Sequence, residues 1–496
     1  MLAIAAVAVA TRWGAGVSVD SLGYTSIARS LLDGQGYRTA DEGPCTTWPP
    51  LYPLVLAGGA ALGPDPATVA RWLNALLCGA NVLLVGLILL AVTRARWLAV
   101  LGAFAMAAMP DSLHVHAMIW TEPLFVLLVM LALWLLSGYA RRPARSCLVA
   151  AAVVSALAVL TRYAGLSLIA AGTVFVLAAA HGRSWRRLAD AVLFAAVACV
   201  PLAGWMLRNA LVAGSAAGRT LGYHPPTAGQ IRGAVDTLSL WLLPRWVPLS
   251  ARVAALAVVA LAIVGVAVIA AARARKPTTP SQRPRPGLLA LLATFVVLYV
   301  AQLLATVWFV DKYMSPGVRH WMPLFPPLLI IVLVLTDRLL SASRPLRRAG
   351  VVLVVLTSLL AFWYANRAFW WVSWAREHGL GYRADRWRES PTIELVRQLD
   401  DDVPVFSNAL HVLHLYTGRL TTEVPSRYFY RSGKPNEHIA KQLEQIAEQM
   451  RSADGVIVYF DRGKGGSHVT REELEAAIPL RVRHEAADGV ILELDQ

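Results

Sequence analysis

Long runs of apolar residues, separated by short polar segments, make up the first three quarters of the chain. There are eleven such runs, at 1–12, 68–92, 97–110, 121–139, 146–160, 163–180, 187–207, 250–272, 287–310, 320–337 and 348–366. A helix of about 20 apolar residues crosses a bilayer. The pattern therefore predicts a polytopic α-helical membrane protein with about eleven transmembrane helices. Several runs are shorter than a perpendicular span, which predicts short or broken helices around a protein-lined cavity.

From about residue 376 the pattern changes to short β-branched runs, such as "VPVFSN", "GVIVYF" and "GVILEL", bounded by Asp, Gly and Asn. Amphipathic stretches such as "NEHIAKQLEQIAEQM" separate these runs. Alternation of strands and helices is typical of a small α/β domain. We therefore predict a membrane domain over 1–375 and a small soluble α/β domain over 376–496.

Composition supports the membrane class, because 57% of the residues are hydrophobic and only 16% are charged. The net charge of +15 lies in the first domain, since residues 376–496 are slightly acidic. Most of the basic residues lie in short loops between apolar runs, at 93–96, 141–145, 183–187, 273–285 and 338–348. A membrane topology explains this pattern better than nucleic-acid binding, which we exclude.

The basic loops also predict an orientation. Placing the N-terminus in the cytoplasm puts every one of them inside, as the positive-inside rule requires. An odd number of spans then places the C-terminal domain outside. We expect a bacterial inner (plasma) membrane protein whose outer loop 13–67 and C-terminal domain are extracytoplasmic.

Two acidic residues on the predicted outer side are candidates for catalysis. Asp20 follows the first apolar run, and Glu122 opens a later one in "IWTEPLF". A carboxylate at the outer interface can act as a general base on a hydroxyl, and an acid at the edge of the membrane is costly unless it is paired or hydrated. The structural alternatives are a helix N-cap for Asp20 and helix-start chemistry for Glu122.

Basic residues also break, end or flank apolar runs on the predicted outer side, where topogenic charge is not expected. They are Arg162, Arg208, Lys312 and Arg319, with Arg162 followed by Tyr163. Cations converging on an outer cavity would suit a phosphate leaving group. The alternative is snorkelling or pairing with acidic residues. His114 and His116 are weak candidates for metal ligands because no third ligand is evident, so a divalent metal ion is an open option and no other cofactor is predicted.

Six short motifs in order suggest a family. They are "D-S-x-G-Y" at 20–24, "W-P-P-L-Y-P" at 48–53, "T-E-P-L-F" at 121–125, "L-T-R-Y-A-G-L" at 160–166, "R-N" at 208–209 and "Y-T-G-R" at 416–419. This string resembles the GT-C membrane glycosyltransferases, in particular the bacterial relatives of protein O-mannosyltransferases and of the lipid A aminoarabinose transferase.

The resemblance implies a catalytic role for Asp20 in the first outer loop. Many members carry a second acid beside it, but this chain has Ser21, and Glu122 is then the expected substitute. The implied donor is a polyprenyl-phosphate sugar, with its phosphate held by Arg162, Arg208, Lys312 and Arg319 and with Tyr24 and Tyr163 near the substrate.

The implied reaction is an inverting direct displacement by an acceptor hydroxyl on a lipid, a polysaccharide or a protein, within a membrane whose lipids are further partners. A transporter or flippase for a polyprenyl-linked lipid is the main alternative, since it also needs a cavity and basic lipid contacts. A non-catalytic scaffold of the cell envelope is another alternative, but it leaves the outer acids unexplained.

Overall fold

The computed structural model describes residues 1–39, 43–179, 184–216, 218, 221–274, 287–428, 435–461 and 468–495. Residues 180–183 and 275–286, parts of two predicted basic loops, and 40–42 of the predicted outer loop lie outside the described residues. The chain divides into two compact units. The first consists of Met1–Ala15, Gly23–Val310 and Met314–Glu377, and the second of Gly16–Leu22, Asp311–Tyr313 and His378–Gln496. Two short segments from the first predicted domain thus belong to the second unit.

Helices dominate the chain up to His378, and every predicted apolar run falls on them. In order they are α1 (Leu2–Ala10), α2 (Val19–Leu32), α3 (Leu51–Ala60), α4 (Pro66–Val92), α5 (Trp97–Ala108), α6 (Pro110–Ala117), α7 (Glu122–Arg141), α8 (Arg145–Thr161), α9 (Leu166–Ala179), α10 (Ser184–Ala213), α11 (Ala228–Ser239), α12 (Leu249–Ala274), α13 (Leu288–Phe309), α14 (Val318–Trp321), α15 (Phe325–Leu340) and α16 (Arg344–His378). Short strands β1 (Arg38–Thr39) and β2 (Gly43–Pro44) pair antiparallel.

Within the described residues, six helices are long and apolar enough to cross a membrane, or seven if the pair α5 and α6, bent by 54°, forms a single broken span. Other apolar helices are shorter, among them α3, α8 and α9. The prediction of a polytopic helical membrane protein is confirmed, whereas the count of eleven spans stays a prediction. Short helices arise where polar residues such as Arg162 interrupt the apolar pattern.

Local sequence sets the helix bounds, as α4 illustrates. Asp65 caps its start, because the carboxylate accepts a hydrogen bond from the backbone N–H of Ala67 at 2.9 Å, and Pro66 occupies the first helical position. At the other end, the Thr93 hydroxyl donates to the Leu89 carbonyl at 2.7 Å. Both ends thus have polar groups that satisfy unpaired backbone atoms.

Helix α7 lies at the centre of the first unit. It packs against α4, α8, α9 and α13, and Phe125, Val129 and Leu133 along it are fully buried. A helix surrounded in this way holds its first turn in a fixed position. Glu122, at the start of α7, is therefore set by the packing of the whole helix.

The second unit contains a mixed sheet with the strand order β4-β3-β5-β7-β6 in its described residues. The strands are β3 (Val405–Ser407), β4 (Thr421–Glu423), β5 (Val456–Phe460), β6 (Leu480–Ala486) and β7 (Gly489–Leu494), and the helices are α17 (Asp385–Arg388), α18 (Pro391–Arg397), α19 (Leu410–Thr417), α20 (Ile439–Ala453) and α21 (Arg471–Ala477). Strands β3, β4 and β5 are parallel, and β7 is antiparallel to β5 and β6.

Two apolar clusters cover the two faces of this sheet, one with α20 and α21 and the other with α18 and α19. Strands and helices are thus both present where the sequence predicts them. The N-terminal segment adds a bridge, because the Val17 carbonyl accepts from the backbone N–H of Tyr382 at 2.8 Å. Gly381 beside it has φ +59° and lies against the Val17 carbonyl, so a Cβ would collide there.

Candidate active site

Glu122 is fully buried in the first turn of α7. Its Oε1 accepts a hydrogen bond from Nη1 of Arg162 at 2.5 Å and another from Nε of Arg319 at 2.7 Å. The Thr121 hydroxyl lies 3.4 Å from the other carboxylate oxygen, Oε2. A buried carboxylate is stable only when it is paired and hydrogen-bonded. We call Glu122, Arg162 and Arg319 the ion-pair cluster.

Arg162 reaches Glu122 because the helical conformation is interrupted between α8 and α9. The residue is extended, with φ −151° and ψ 134°, and a short 3-10 turn follows at Tyr163–Gly165. A Cβ at Gly165 would lie 2.6 Å from the backbone of Val159, so the turn can close only with glycine. The motif "L-T-R-Y-A-G-L" therefore encodes a helix break that presents an arginine. Nη1 of Arg162 also donates to the Thr121 hydroxyl at 2.9 Å.

Gln302 of α13 satisfies the polar backbone atoms that this break exposes. Its amide nitrogen donates to the Tyr163 carbonyl, and its Oε1 accepts from the backbone N–H of Ser167, both at 2.9 Å. Broken helices in membranes need such replacement partners. Sequence reasoning missed Gln302, although a glutamine inside a long apolar run was a usable signal.

Arg319 comes from the short helix α14 and stacks on an aromatic ring. Its guanidinium carbon lies 4.8 Å from the centroid of Trp120, two residues before Glu122. The next residues, His320 and Trp321, are hydrogen-bonded to their own turn, through the Gly317 N–H and the Pro316 carbonyl. The cation–π contact and the ion pair together fix the plane of the guanidinium group.

A layer of amides on α4 supports the segment that carries Glu122. Asn74 donates to the Met118 carbonyl at 2.7 Å, and Asn81 donates to the Pro123 carbonyl at 3.0 Å. The two asparagines are buried and lie seven residues apart, on the same face of the helix. Sequence reasoning missed both, although their spacing inside an apolar run could have revealed them.

The ion-pair cluster carries more positive than negative charge. Glu122 has no exposed surface, while the side chains of Arg162 and Arg319 are 16% and 19% exposed. Within the described residues, the buried Nε of Arg162 has no hydrogen-bond partner. Guanidinium groups held in this way can donate charge-assisted hydrogen bonds to a phosphate.

Arg208 is hydrogen-bonded to backbone carbonyls. Its Nη1 donates to the carbonyl of Cys45 at 2.7 Å and to Oδ1 of Asn209 at 3.0 Å, and Nη2 donates to the carbonyl of Tyr37 at 3.1 Å. The guanidinium also lies 5.0 Å from the ring centroid of Trp205. These contacts attach the β1–β2 region to α10.

The two predicted tyrosines are packed among other aromatic side chains. Tyr24 is 2% exposed and lies edge-on to Trp48 and Tyr52, and the Tyr163 hydroxyl accepts from Nε1 of Trp205 at 3.1 Å. The Trp48 ring also lies against Gly23, where a Cβ would collide with it. Gly23 and Tyr24 of the first motif therefore pack against Trp48 and Tyr52 of the second, which explains that glycine and that tryptophan.

Tyr37 anchors the same region. Its hydroxyl donates to the carbonyls of Trp48 and Pro49, each at 3.1 Å. Burial raises the pKa of Tyr37 well above its usual value, although nearby Arg208 acts in the opposite direction. The hydroxyl therefore stays protonated and keeps donating at neutral pH.

Asp20 and Lys312 belong to the second unit. Asp20 lies in the first turn of α2, which starts at Val19, so the interpretation of Asp20 as the N-cap is wrong. Ser18 precedes the helix, and its N–H donates to the Ser21 hydroxyl at 3.0 Å. Lys312 is exposed, with its ammonium 5.8 Å from the ring centroid of Tyr313.

His114 and His116 face different surroundings on α6. His116 is buried, with Nδ1 2.7 Å from the Ser112 carbonyl and Nε2 3.1 Å from the Asn81 amide. His114 lies between the rings of Trp120 and Trp371. Residues two apart on a helix do not face each other, and the described residues contain no cluster of three metal-ligating side chains. The divalent ion stays a prediction.

Comparisons with known proteins give a family match for part of the chain. Residues 47–206 match the model of the dolichyl-phosphate-mannose-protein mannosyltransferase family. This segment contains the motifs that carry Trp48, Glu122 and Arg162. No curated protein has significant sequence similarity to the chain.

Solved structures share the fold at low sequence identity. ArnT from Cupriavidus metallidurans bound to undecaprenyl phosphate has a TM-score of 0.59 and 14% identity, over 99% of this chain and 96% of that one. The arabinofuranosyltransferase AftD from Mycobacteria has a TM-score of 0.51 and 16% identity, over 99% of this chain and 41% of that one. The oligosaccharyltransferase of Archaeoglobus fulgidus has a TM-score of 0.50 and 13% identity, over 93% and 68%. The resemblance indicated by the sequence motifs is confirmed.

Proposed function

Because the chain has the fold of the GT-C membrane glycosyltransferases, we propose that it transfers a sugar from a polyprenyl-phosphate donor to an acceptor hydroxyl. The acceptor belongs to a lipid, a polysaccharide or a protein on the extracytoplasmic side of a bacterial inner membrane. The N-terminus then lies in the cytoplasm and the C-terminal domain outside, as the basic loops indicate.

The ion-pair cluster is the observation that supports this proposal most strongly. Arg162 and Arg319 are partly exposed, are held rigidly and carry a surplus of positive charge. A lipid phosphate carries the complementary charge, and guanidinium groups bind phosphate oxygens through directed hydrogen bonds. ArnT, which has the same fold, is known bound to undecaprenyl phosphate. We assign the phosphate of the donor lipid to Arg162 and Arg319.

Glu122 then positions the two arginines and does not take the proton from the acceptor. Its Oε1 already accepts from both guanidinium groups, and it lies beneath them without exposed surface. Arg208 has a different role, since backbone carbonyls engage its donors. For Lys312, the phosphate-binding role rests on the family resemblance alone.

The proposed reaction is a single displacement with inversion. Asp20 accepts the proton of the acceptor hydroxyl as its oxygen forms a bond to the anomeric carbon. The bond between that carbon and the phosphate oxygen breaks, and the polyprenyl phosphate leaves with the electron pair. Arg162 and Arg319 stabilise the negative charge that develops on the departing phosphate. The family resemblance and the position of Asp20 in the predicted outer loop support its role as base.

A transfer assay with a matched pair of acid variants tests the proposal. Membranes that contain wild type, Asp20→Asn or Asp33→Asn are supplied with labelled undecaprenyl-phosphate hexoses and pentoses. Asp33 is exposed and directly follows α2, so its replacement controls for loss of an acidic group. We expect label transfer by wild type and Asp33→Asn, and a loss of about 100-fold or more in Asp20→Asn.

Other outcomes would separate the parts of the proposal. Equal transfer by all three proteins would remove Asp20 from the mechanism and leave the transferase function standing. A wild type that moves no sugar from any of these donors would contradict the proposed function itself.

A further inference from the structure

A cavity of about 400 Å³ opens between α6 and the last turns of α16 in the first unit. Asp111 and His114 line one side, Arg367, Trp370 and Trp371 line the other, and Val318 lies at its edge. Its size falls within the range of small-molecule sites. The proposed reaction uses none of the polar side chains in this cavity.

The charged groups of the cavity are held in place by two consecutive residues. Nε1 of Trp241 donates to Oδ2 of Asp111 at 2.9 Å, and the Leu240 carbonyl accepts from Nη1 of Arg367 at 3.1 Å. Arg367 also stacks on Trp363, with its guanidinium carbon 4.7 Å from the ring centroid. A carboxylate and a guanidinium group are thus presented in fixed orientations, which lowers the cost of ordering them around a ligand.

Two neighbouring tryptophans supply apolar faces beside these charges. Trp370 is 66% exposed, and Trp371 is half-buried, with the His114 ring edge-on to it at 5.7 Å between centroids. A sugar ring has the complementary chemistry, since its C–H groups form an apolar face and its hydroxyls a polar rim. Aromatic side chains with an apolar body suit the face, while Asp111 accepts from hydroxyls and Arg367 donates to them.

We propose that this cavity binds a sugar ring of one of the two substrates. We call it the sugar cavity. The assignment of the ring to a donor or an acceptor rests on the proposed transferase function, whereas binding of a sugar does not.

The sugar cavity is next to the ion-pair cluster. The His114 ring lies 5.6 Å from the Trp120 ring, and Arg319 stacks on that same Trp120. Val318 at the edge of the cavity immediately precedes Arg319. A sugar bound in the cavity would therefore lie beside the site that we assign to the lipid phosphate.

The depth of the cavity also suits a sugar. Helix α16 starts at Arg344, at its basic end, and Trp370 lies 26 residues later. At 1.5 Å per residue this separation is about 39 Å, which exceeds the ~30 Å of a hydrocarbon core. With Arg344 at one membrane surface, a helix of this length brings Trp370 and the cavity to the headgroup level of the other surface. Tryptophans of an aromatic belt share this depth, but a belt does not require the fixed carboxylate and guanidinium groups of Asp111 and Arg367.

Saturation-transfer NMR on the full chain in lipid nanodiscs tests the proposal directly. The probes are the methyl glycosides of mannose, glucose, galactose and arabinose. We expect saturation transfer to the ring protons of at least one probe in wild type. Trp371→Leu and Asp111→Asn should each raise its dissociation constant about tenfold or more. Trp371→Phe, which retains an aromatic face, should bind nearly as wild type.

Trp185→Leu is the matched control, because Trp185 is 60% exposed and does not line the cavity. This variant should bind like wild type. The proposal would be overturned if wild type showed no saturation transfer to any probe. It would also be overturned if wild type, Trp371→Leu and Asp111→Asn bound a probe equally well. Retained binding of undecaprenyl phosphate by the variants shows that they are folded.

Competition identifies the source of the sugar. Displacement of the bound glycoside by the undecaprenyl phosphate that carries the same sugar, but not by undecaprenyl phosphate alone, assigns the cavity to the donor sugar. Binding that persists in the presence of either lipid assigns it to the acceptor. If glycosides bind to wild type but undecaprenyl phosphate does not, the cavity stands and the proposed function fails.

Discussion

Arg208 and the two arginines of the ion-pair cluster have different hydrogen-bond partners, although the sequence gives them the same interpretation. Arg162 breaks an apolar run and Arg208 and Arg319 border others, and the resemblance implies the same role for each. In the structure, Arg208 donates to the carbonyls of Cys45 and Tyr37. Arg162 and Arg319 instead converge on Glu122 and remain partly exposed.

The position of a cation near a membrane surface therefore does not define its role. The role of an arginine depends on which acceptors its N–H groups already donate to. Arg208 donates to backbone carbonyls and so stabilises the loop around Tyr37. A shared carboxylate holds Arg162 and Arg319 side by side with surplus positive charge, which suits an incoming anion.

Removal of Glu122 should have the largest effect. Glu122→Ala leaves Arg162 and Arg319 facing each other without their counter-charge, so we expect a loss of stability of about 3–5 kcal/mol. Thermal unfolding in detergent measures this loss. Arg29→Ala, which breaks the exposed 2.6 Å pair with Asp65 and leaves the Asp65 cap of α4 in place, is the control and should have a much smaller effect. Equal unfolding temperatures of the two variants would contradict the pairing described for Glu122.

Replacement of a cluster arginine should act mainly on the reaction. We expect Arg162→Gln and Arg319→Gln each to lower sugar transfer by about 100-fold or more, as for loss of a group that stabilises developing charge. Arg319→Lys should have an intermediate rate of sugar transfer, because it keeps the positive charge but loses the planar guanidinium group that can form two parallel hydrogen bonds.

Arg252→Gln is the matched control for these arginine variants. Arg252 is 5% exposed and pairs with Asp236 at 2.6 Å, so its loss also breaks an ion pair with a buried arginine. Transfer per folded protein should be unchanged in Arg252→Gln. An equal loss in this variant and in Arg319→Gln would attribute both losses to the broken ion pair and not to a lost phosphate contact.

Arg208→Gln should act mainly on stability. Loss of its hydrogen bonds to the Cys45 and Tyr37 carbonyls should cost about 1–3 kcal/mol, and transfer per folded protein should stay within about twofold of wild type. Thermal unfolding and a labelled-donor assay on the same preparation measure both. A 100-fold loss of transfer with normal stability would place Arg208 beside Arg162 and Arg319.

Gln302→Leu should give the smallest change. It leaves the Tyr163 carbonyl and the Ser167 N–H without their partner at the helix break, at a cost of about 1–2 kcal/mol. Gln302→Glu keeps an acceptor for Ser167 but sets a carboxylate against the Tyr163 carbonyl, so it should cost more. The unfolding temperatures of the two variants measure the difference. If Gln302→Leu is as stable as wild type, Gln302 does not support the break.

The apolar runs were sufficient to predict the helices, because burial in lipid imposes long apolar stretches. The motif "L-T-R-Y-A-G-L" predicted an interruption at Arg162, and the structure provides its reason in the close packing of Gly165. The number of spans was less predictable. A short apolar helix such as α8 gives the same signal in a sequence as a membrane-crossing one.

The pairing within the candidate site could not be predicted from the sequence. Glu122 and Arg319 are 197 residues apart, and only the packing of α7 and α14 brings them together. The sequence indicated His114 only as a weak metal-ligand candidate, and Arg367 and Trp371, which complete the cavity with Asp111, belong to the last apolar helix. Aromatic residues near a helix end are typical of a membrane interface and therefore did not indicate a site.

The affinity for undecaprenyl phosphate tests most directly the claim that the ion-pair cluster is the lipid-phosphate site. It should be measured at equilibrium on purified wild type, Arg319→Gln and Arg208→Gln. We predict that Arg319→Gln raises the dissociation constant about tenfold or more, while Arg208→Gln leaves it unchanged. Unchanged binding in Arg319→Gln together with loss of binding in Arg208→Gln would contradict the claim and place the phosphate beside the β1–β2 region.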